Sequence, residues 1–412
     1  MRPSSLQKID PFPVGFWNYT FMDMVGPDCV RDWADCGMTL TMSPEFIAER
    51  DSVAAMRAIL DAAAQRGIRV IVCDHRGGWW QGDSAEAENA YRQGFAQVLK
   101  DFGDHPSVFG FFVGDEPDKA NLPNACKAYR IQKEMAPHLS PFLNLDCWHW
   151  GTENDIPDWP AHLDGVVEKA RPDMLAYDCY SQMGSSRGGL EKYFRNLRDF
   201  QAASARHKIP LWVTQLSVGH YVMRCPREDD LRWQVNTALA HGANGLLWFF
   251  FYMRCPFENY RLAPIDEHWE RTETFHWLSR VNRTFLKWHA PVMRSLTLRR
   301  AHHVGQSWAG FPALDGTGPV RAAEASEPLI VSEFADPQGR PYVAVVCNSQ
   351  TTSTKVSLTL NDASSRLHRV GWGAEETPVN ATAAPGENAS RLGFWLAPGQ
   401  MELYRVESAG TR

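Results

Sequence analysis

Two acidic residues close an apolar run at Val108-Phe109-Gly110-Phe111-Phe112-Val113-Gly114-Asp115-Glu116-Pro117, and a proline suited to starting a helix follows them at once. A carboxyl held beside apolar groups or a like charge has its pKa raised, so it can keep a proton near neutral pH and hand it to a departing oxygen. Glu116, which follows Phe111, Phe112 and Val113 and adjoins Asp115, is the first candidate for such an acid. The other role open to the pair is capping of the next helix, where acidic side chains offset the partial positive charge of the first turn. A further carboxylate, Asp178, ends the apolar run Leu175-Ala176-Tyr177 in a Tyr-Asp-x-Tyr setting.

These residues need a scaffold that brings them together. Eight apolar runs bounded by turn residues read as strands: Val14–Asn18, Met38–Met42, Arg69–Cys73, Val108–Gly114, Phe142–Asp146, Met174–Asp178, Leu211–Gln215 and Gly245–Phe251. Helical periodicity occupies the gaps, at Asp51–Arg66, Glu86–Phe102, Ala125–Met135, Gly189–Ala205 and Asp229–His241. Crossovers of this length join parallel strands, and eight such units predict an α/β fold, a (β/α)8 TIM barrel, over residues 1–290. A doubly wound open sheet is the rival, disfavoured because no Gly-x-Gly-x-x-Gly follows the first strand. Over residues 291–412 short alternating runs appear (Leu329–Glu333, Tyr342–Asn348, Thr354–Leu360, Gly393–Leu396, Met401–Val406), which predicts a small all-β C-terminal domain. Within it Ala363–Ser390 reads as containing a loop rich in Ala, Glu, Thr and Asn.

In a barrel of parallel strands the carboxyl ends of the strands build the active site. The polar residues there are Asn18 and Tyr19 (first strand), Asp74, His75 and Arg76 (third), Asp115 and Glu116 (fourth), and Asp146 and His149 (fifth). Asp178 and Tyr180 follow the sixth, Gln215 and His220 the seventh, and Tyr252, Arg254 and Glu258 the eighth. Trp79, Trp80, Trp148 and Trp150 flank the same mouth, and rings of this kind stack on the apolar faces of sugars. Substrate contacts are therefore expected from Asp74, His75, Asp115, Asp146, Trp148, His149, Tyr180, Gln215, His220 and Tyr252. Asp74-His75-Arg76 has three roles open to it: binding a sugar hydroxyl, orienting Glu116, or capping a loop. Trp212, Trp233 and Trp248 are expected in the core or the helix layer.

Several segments, in order over about residues 11–290, carry a resemblance: Gly114-Asp115-Glu116-Pro117, Leu175-Ala176-Tyr177-Asp178-Cys179-Tyr180, Leu211-Trp212-Val213-Thr214-Gln215, 232–245 and 274–282. The chain resembles the superfamily of (β/α)8 glycoside hydrolases, in particular its β-galactosidase-like and uncharacterised bacterial members, and its tail resembles the β-sandwich such enzymes often carry. The resemblance implies that Glu116 is the general acid/base. It places the strand-seven nucleophile, a glutamate in the family, at Gln215, which cannot attack as a carboxylate. Asp178 is then expected as the second carboxylate, the base of an inverting pair, roughly 6.5–9.5 Å from the acid. The expected function is hydrolysis of a glycoside or oligosaccharide. Two alternatives are a carbohydrate-binding barrel without turnover, motivated by Gln215, and a metal-dependent hydrolase or lyase with Asp74, His75, Asp146 and His149 as ligands. No His-x-His or His-Glu-x-x-His spacing supports the last, so neither metal nor cofactor is expected.

The net charge of −6 and the lack of a Lys/Arg cluster argue against nucleic acid or an anionic membrane surface as partner. No apolar stretch reaches the roughly 18 residues that span a bilayer, and the first ten residues lack the apolar run of a secretory signal, so a cytoplasmic location is expected. Nine cysteines without Cys-x-x-Cys are expected to be mostly buried free thiols. A carbohydrate is the expected partner, and the sequence carries no sign of an oligomeric state.

Overall fold

The computed structural model describes residues 11–184, 188–254, 258–362, 364–383 and 389–407. The first ten residues, Cys255 and part of the 363–390 stretch lie outside the described residues. Eight parallel strands form one sheet: β1 (Val14–Phe16), β2 (Leu40–Phe46), β3 (Arg69–Asp74), β4 (Val108–Asp115), β5 (Phe142–Leu145), β6 (Leu175–Asp178), β7 (Leu211–Leu216) and β8 (Ala243–Phe249). The ladder runs β1-β8-β7-β6-β5-β4-β3-β2. Thr39 ties the remaining seam between β1 and β2. Its N–H donates to the Val14 carbonyl at 2.8 Å, and its Oγ1 accepts from Val14 N–H at 2.8 Å.

Ten helices lie in the described chain: α1 (Cys29–Asp35), α2 (Val53–Gln65), α3 (Ala85–Phe102), α4 (Leu122–Met135), α5 (Thr152–Asp155), α6 (Trp159–Ala170), α7 (Gly188–His207), α8 (Glu228–Ala240), α9 (Glu273–Trp288) and α10 (Ala290–Met293). Their starts are written in the sequence. Ser52 and Ser84 accept from the N–H groups of Ala55 and Ala87, and Asp158 accepts from Ala161, which satisfies donors that the first turn leaves open. The strands are buried on both faces. Trp17, Met42, Ile71, Phe142, Trp212 and Leu247 fill the barrel, while Phe95, Tyr129, Phe200 and Trp233 pack between strands and helices. Each such side chain contributes about 1.5–3 kcal/mol by leaving water. No helix among the described residues is long and apolar enough to cross a membrane.

The chain then forms an antiparallel β domain from β9 (Thr297–Val304), β10 (Val320–Glu324), β11 (Leu329–Ala335), β12 (Pro341–Cys347), β13 (Thr354–Leu360), β14 (Arg366–Val370), β15 (Glu376–Val379), β16 (Thr382–Ala383), β17 (Ser390–Leu396) and β18 (Met401–Glu407). One sheet runs β10-β13-β17-β16, the other β15-β14-β18-β12-β11-β9. Val320, Val345, Leu358, Leu367, Leu396 and Val406 form its core. Three strands, β14, β15 and β16, also fall within Ala363–Ser390, the segment expected to contain a loop. Only Leu367 and Val370 of β14 are buried, and Arg369 is held by Glu402 of β18, so the strand carries too little apolar periodicity to be seen. The domain docks on α8, where Trp233 Nε1 donates to Asn348 Oδ1 at 2.9 Å and Asn236 Nδ2 to the Gly399 carbonyl at 2.8 Å. Gly399 has φ +66°, and a Cβ there would lie 2.5 Å from the Trp233 backbone.

Candidate active site

The end of β4 is shaped by its neighbours. A Cβ on Gly114 would lie 1.7 Å from the Trp79 ring, so only glycine lets the strand pass under that indole. Two residues on, Glu116 takes a left-handed backbone with φ +42°, an uncommon conformation for a residue with a side chain and one that clusters at functional sites. Its N–H donates to the Asn144 carbonyl of β5 at 3.0 Å.

Asn144, fully buried, sends one amide nitrogen to two carboxylates: 3.0 Å to Asp115 Oδ1 and 2.7 Å to Asp178 Oδ1. Asp178 also accepts hydrogen bonds from the Glu116 carboxyl and the Tyr180 hydroxyl. One oxygen of each of Asp115, Glu116 and Asp178 lies within 4.8 Å of the others. Water reaches Asp115 and Glu116 from the mouth, but dense protein around them disfavours their charged forms. Burial, then the charges of Asp178, Asp115 and Asp146, push Glu116 up to about 9. Burial and Asp178 push Asp115 up to about 7. Burial also raises Asp178, against the donors that face it. Glu116 is thus the member of the cluster that keeps its proton at neutral pH.

A cavity of about 470 Å³ opens over these carboxyls, walled by Trp17, Tyr19, Tyr180, Phe249, Arg254 and Tyr260. Tyr19 lies between the Trp17 ring, 6.1 Å away at 19°, and the Arg254 guanidinium, 3.8 Å from its centroid. Tyr180 stacks on Phe249 at 5.0 Å. A second cavity of about 430 Å³ shares Trp17, Tyr19 and Asp115 and reaches Met42, Glu45, His75 and Trp79.

Solved structures share this architecture. The chain aligns with a family 39 glycoside hydrolase from the gut symbiont Bacteroides cellulosilyticus WH2 at 13% identity and a TM-score of 0.52, over 96% of this chain and 81% of that one. A β-galactosidase from the psychrophilic Marinomonas ef1 gives 13% identity and a TM-score of 0.51, over 69% of this chain but only 62% of its own, less than two thirds. A further structure, a glycoside hydrolase, superposes with a TM-score of 0.59 at 10% identity, over 97% of this chain and 93% of the other. The fold is one that glycoside hydrolases use. No protein-family model and no curated protein matches the sequence.

The expected site residues separate into two groups. Asp115, Glu116, Asp178, Tyr180 and His220 line the first cavity, and Asp74 and His75 line the second. His220 stacks on Tyr260 at 4.9 Å, and burial lowers its pKa. Asp74 is spent on Arg76, which it meets through both oxygens, and His75 Nε2 lies 3.0 Å from Glu45 Oε2. Asp146 is exposed beside the cavity. His149 serves its own loop, where Nδ1 accepts from Gly151 N–H. Trp148 is fully buried with the Arg195 guanidinium 3.4 Å from its ring centroid, so it presents no face to the mouth. Tyr252 is buried outside the barrel and accepts from Trp33 Nε1 at 2.7 Å. The proposed metal ligands Asp74, His75, Asp146 and His149 do not converge.

Gln215 faces the helices. Its Nε2 donates to Tyr193 Oη at 3.3 Å and to the Gln234 carbonyl at 3.2 Å, both on the helix layer. The inward positions of β7 are Trp212, Thr214 and Leu216. The inverting separation expected of Glu116 and Asp178 is also absent, since the two hydrogen-bond directly and leave no room for a water between them.

Trp17, Asn144, Lys192 and Tyr260 were missed. Asn144 had a signal, a polar residue inside the apolar run Phe142-Leu143-Asn144-Leu145, in phase with the inward Phe142. Lys192 had none, because it reaches the cavity from α7. It stands beside Cys147 and Cys179, two thiols on the cavity wall that hydrogen-bond each other. Burial opposes ionisation of Cys179, but that hydrogen bond and the Lys192 charge outweigh it and bring the thiol down to about 7. All eight described cysteines are free, and only Cys225 is not buried.

Proposed function

We propose that the mouth hydrolyses a glycosidic bond, with Glu116 as the general acid. The carrying observation is the hydrogen bond from Glu116 to Asp178 inside a cluster of three carboxyls, which holds a proton on Glu116 at neutral pH. Protonation of the leaving oxygen is the step such a group supplies. Asp178 then acts as a positioning residue: it orients the Glu116 carboxyl and, by its charge, keeps the proton there. The aromatic walls at Trp17, Tyr19 and Tyr180 offer the flat surfaces that a sugar ring needs. The β-galactosidase and glycoside hydrolase structures of the same fold support a carbohydrate substrate by analogy.

Binding without turnover loses its motive, because Gln215 does not face the mouth. A second reading has its own observation: three carboxylate oxygens within 4.8 Å, once ionised, suit a hard divalent cation. The deciding experiment is hydrolysis of aryl glycosides and oligosaccharides by the wild type and by Glu116→Gln, each with and without a chelator, the fold checked by circular dichroism. Turnover that survives the chelator and falls by about 10²–10⁴ in the variant supports acid catalysis. Turnover abolished by chelation supports the metal reading.

A further inference from the structure

The mouth holds an acid, but the inward end of β7, the strand from which the resemblance expects a nucleophile, offers no attacking carboxylate. Neither Thr214 nor Leu216, at the inward end of β7, is a carboxylate. Asp178 is engaged by Glu116, Asn144 and Tyr180, and an anomeric carbon cannot lie between two carboxyls that hydrogen-bond each other. Asp115 Oδ1 accepts from Asn144, but its other oxygen has no partner among the described residues. The Tyr19 hydroxyl likewise has none, and it feels the Asp115 charge. Both residues line both cavities. An acceptor and a donor on the walls of the same cavities complement an amide, whose N–H would go to Asp115 and whose carbonyl to Tyr19. The Trp17 and Phe249 rings on the same walls offer apolar surface for a small methyl group.

We propose that the sugar cleaved here carries a 2-acetamido group, and that its own carbonyl oxygen attacks the anomeric carbon. The inference rests on the glycosidase reading above and names its substrate class. The amide oxygen bonds to C1 as the bond from C1 to the glycosidic oxygen breaks, and Glu116 gives that oxygen its proton. Asp115 accepts the N–H of the resulting cationic ring. Water then attacks C1 and passes a proton to Glu116, the bond from C1 to the amide oxygen breaks, and the amide is restored. One water is consumed, the leaving alcohol is released, and the configuration at C1 is retained.

The test uses the intact chain and 4-nitrophenyl glycosides of both anomeric configurations, with either a 2-acetamido or a 2-hydroxy group. The expected result is kcat/KM at least ~100-fold higher for a 2-acetamido substrate, because the nucleophile is built in. Mono-, di- and trifluoroacetamido analogues should lower kcat progressively in the wild type, since fluorine weakens the attacking oxygen. Asp115→Asn should lower kcat more than it alters KM. Equal or faster cleavage of 2-hydroxy glycosides, dependent on Glu116, overturns the inference and leaves the glycosidase reading standing, as does a kcat insensitive to fluorine. No turnover of any glycoside by folded protein overturns both.

Discussion

Glu116 donates a hydrogen bond to Asp178 across the end of β5, so the two carboxyls titrate as one unit. In the unfolded chain Glu116 ionises near its ordinary value of 4.5, and in the folded chain near 9. Between those values the folded protein binds more protons than the unfolded one, so this group's stabilisation is complete below the lower value and is lost as pH rises toward the upper. Thermal unfolding followed across that window should show the wild-type Tm falling relative to that of Glu116→Gln. Parallel curves for the two proteins would refute the proton assignment.

The same proton sets the alkaline limb of activity. With Glu116 as the acid, kcat declines as pH passes about 9, where the carboxyl ionises. A profile of kcat against pH with a 4-nitrophenyl substrate checks this. An alkaline limb well below that value would point to another acid.

Asn144→Leu keeps the volume but removes the donor that Asp115 and Asp178 share. Each carboxylate loses a hydrogen bond that favours its ionised form, so both pKa values rise further and the acidic limb of the profile moves to higher pH. Loss of the bonds in a buried setting costs about 1–3 kcal/mol, measured as the shift in urea unfolding. An acidic limb that stays in place would show that neither carboxylate needs to be ionised for turnover.

The strands of the barrel were legible because buried parallel strands are long apolar runs and the helices between them keep their 3.6-residue period. Glu116 and Asp178 were legible for the same reason, as charges that end such runs. The face each strand turns inward was not. When both faces are buried, Val213 and Gln215 look no different from Trp212 and Thr214, and a one-residue shift in phase exchanges mouth for helix layer. That ambiguity put Gln215 at the mouth, where Thr214 and Leu216 turn inward instead. Lys192 and Tyr260 come from a helix and a long loop, where no local pattern announces a cavity.

Gln215→Glu separates the two faces of β7 by experiment. At the mouth, a glutamate here would supply the carboxylate that the family resemblance calls for, and activity would rise. In the structure the side chain is fully buried against Tyr193 and Gln234, and its Oε1 has no partner. A carboxyl there loses the Nε2 donor to both acceptors and has no cation to pair with, so it stays protonated or strains the helix layer. The variant is expected to be less stable by about 1–3 kcal/mol in urea unfolding, more so as pH rises, with no gain in turnover. A gain in kcat at unchanged stability would mean that residue 215 faces the mouth after all.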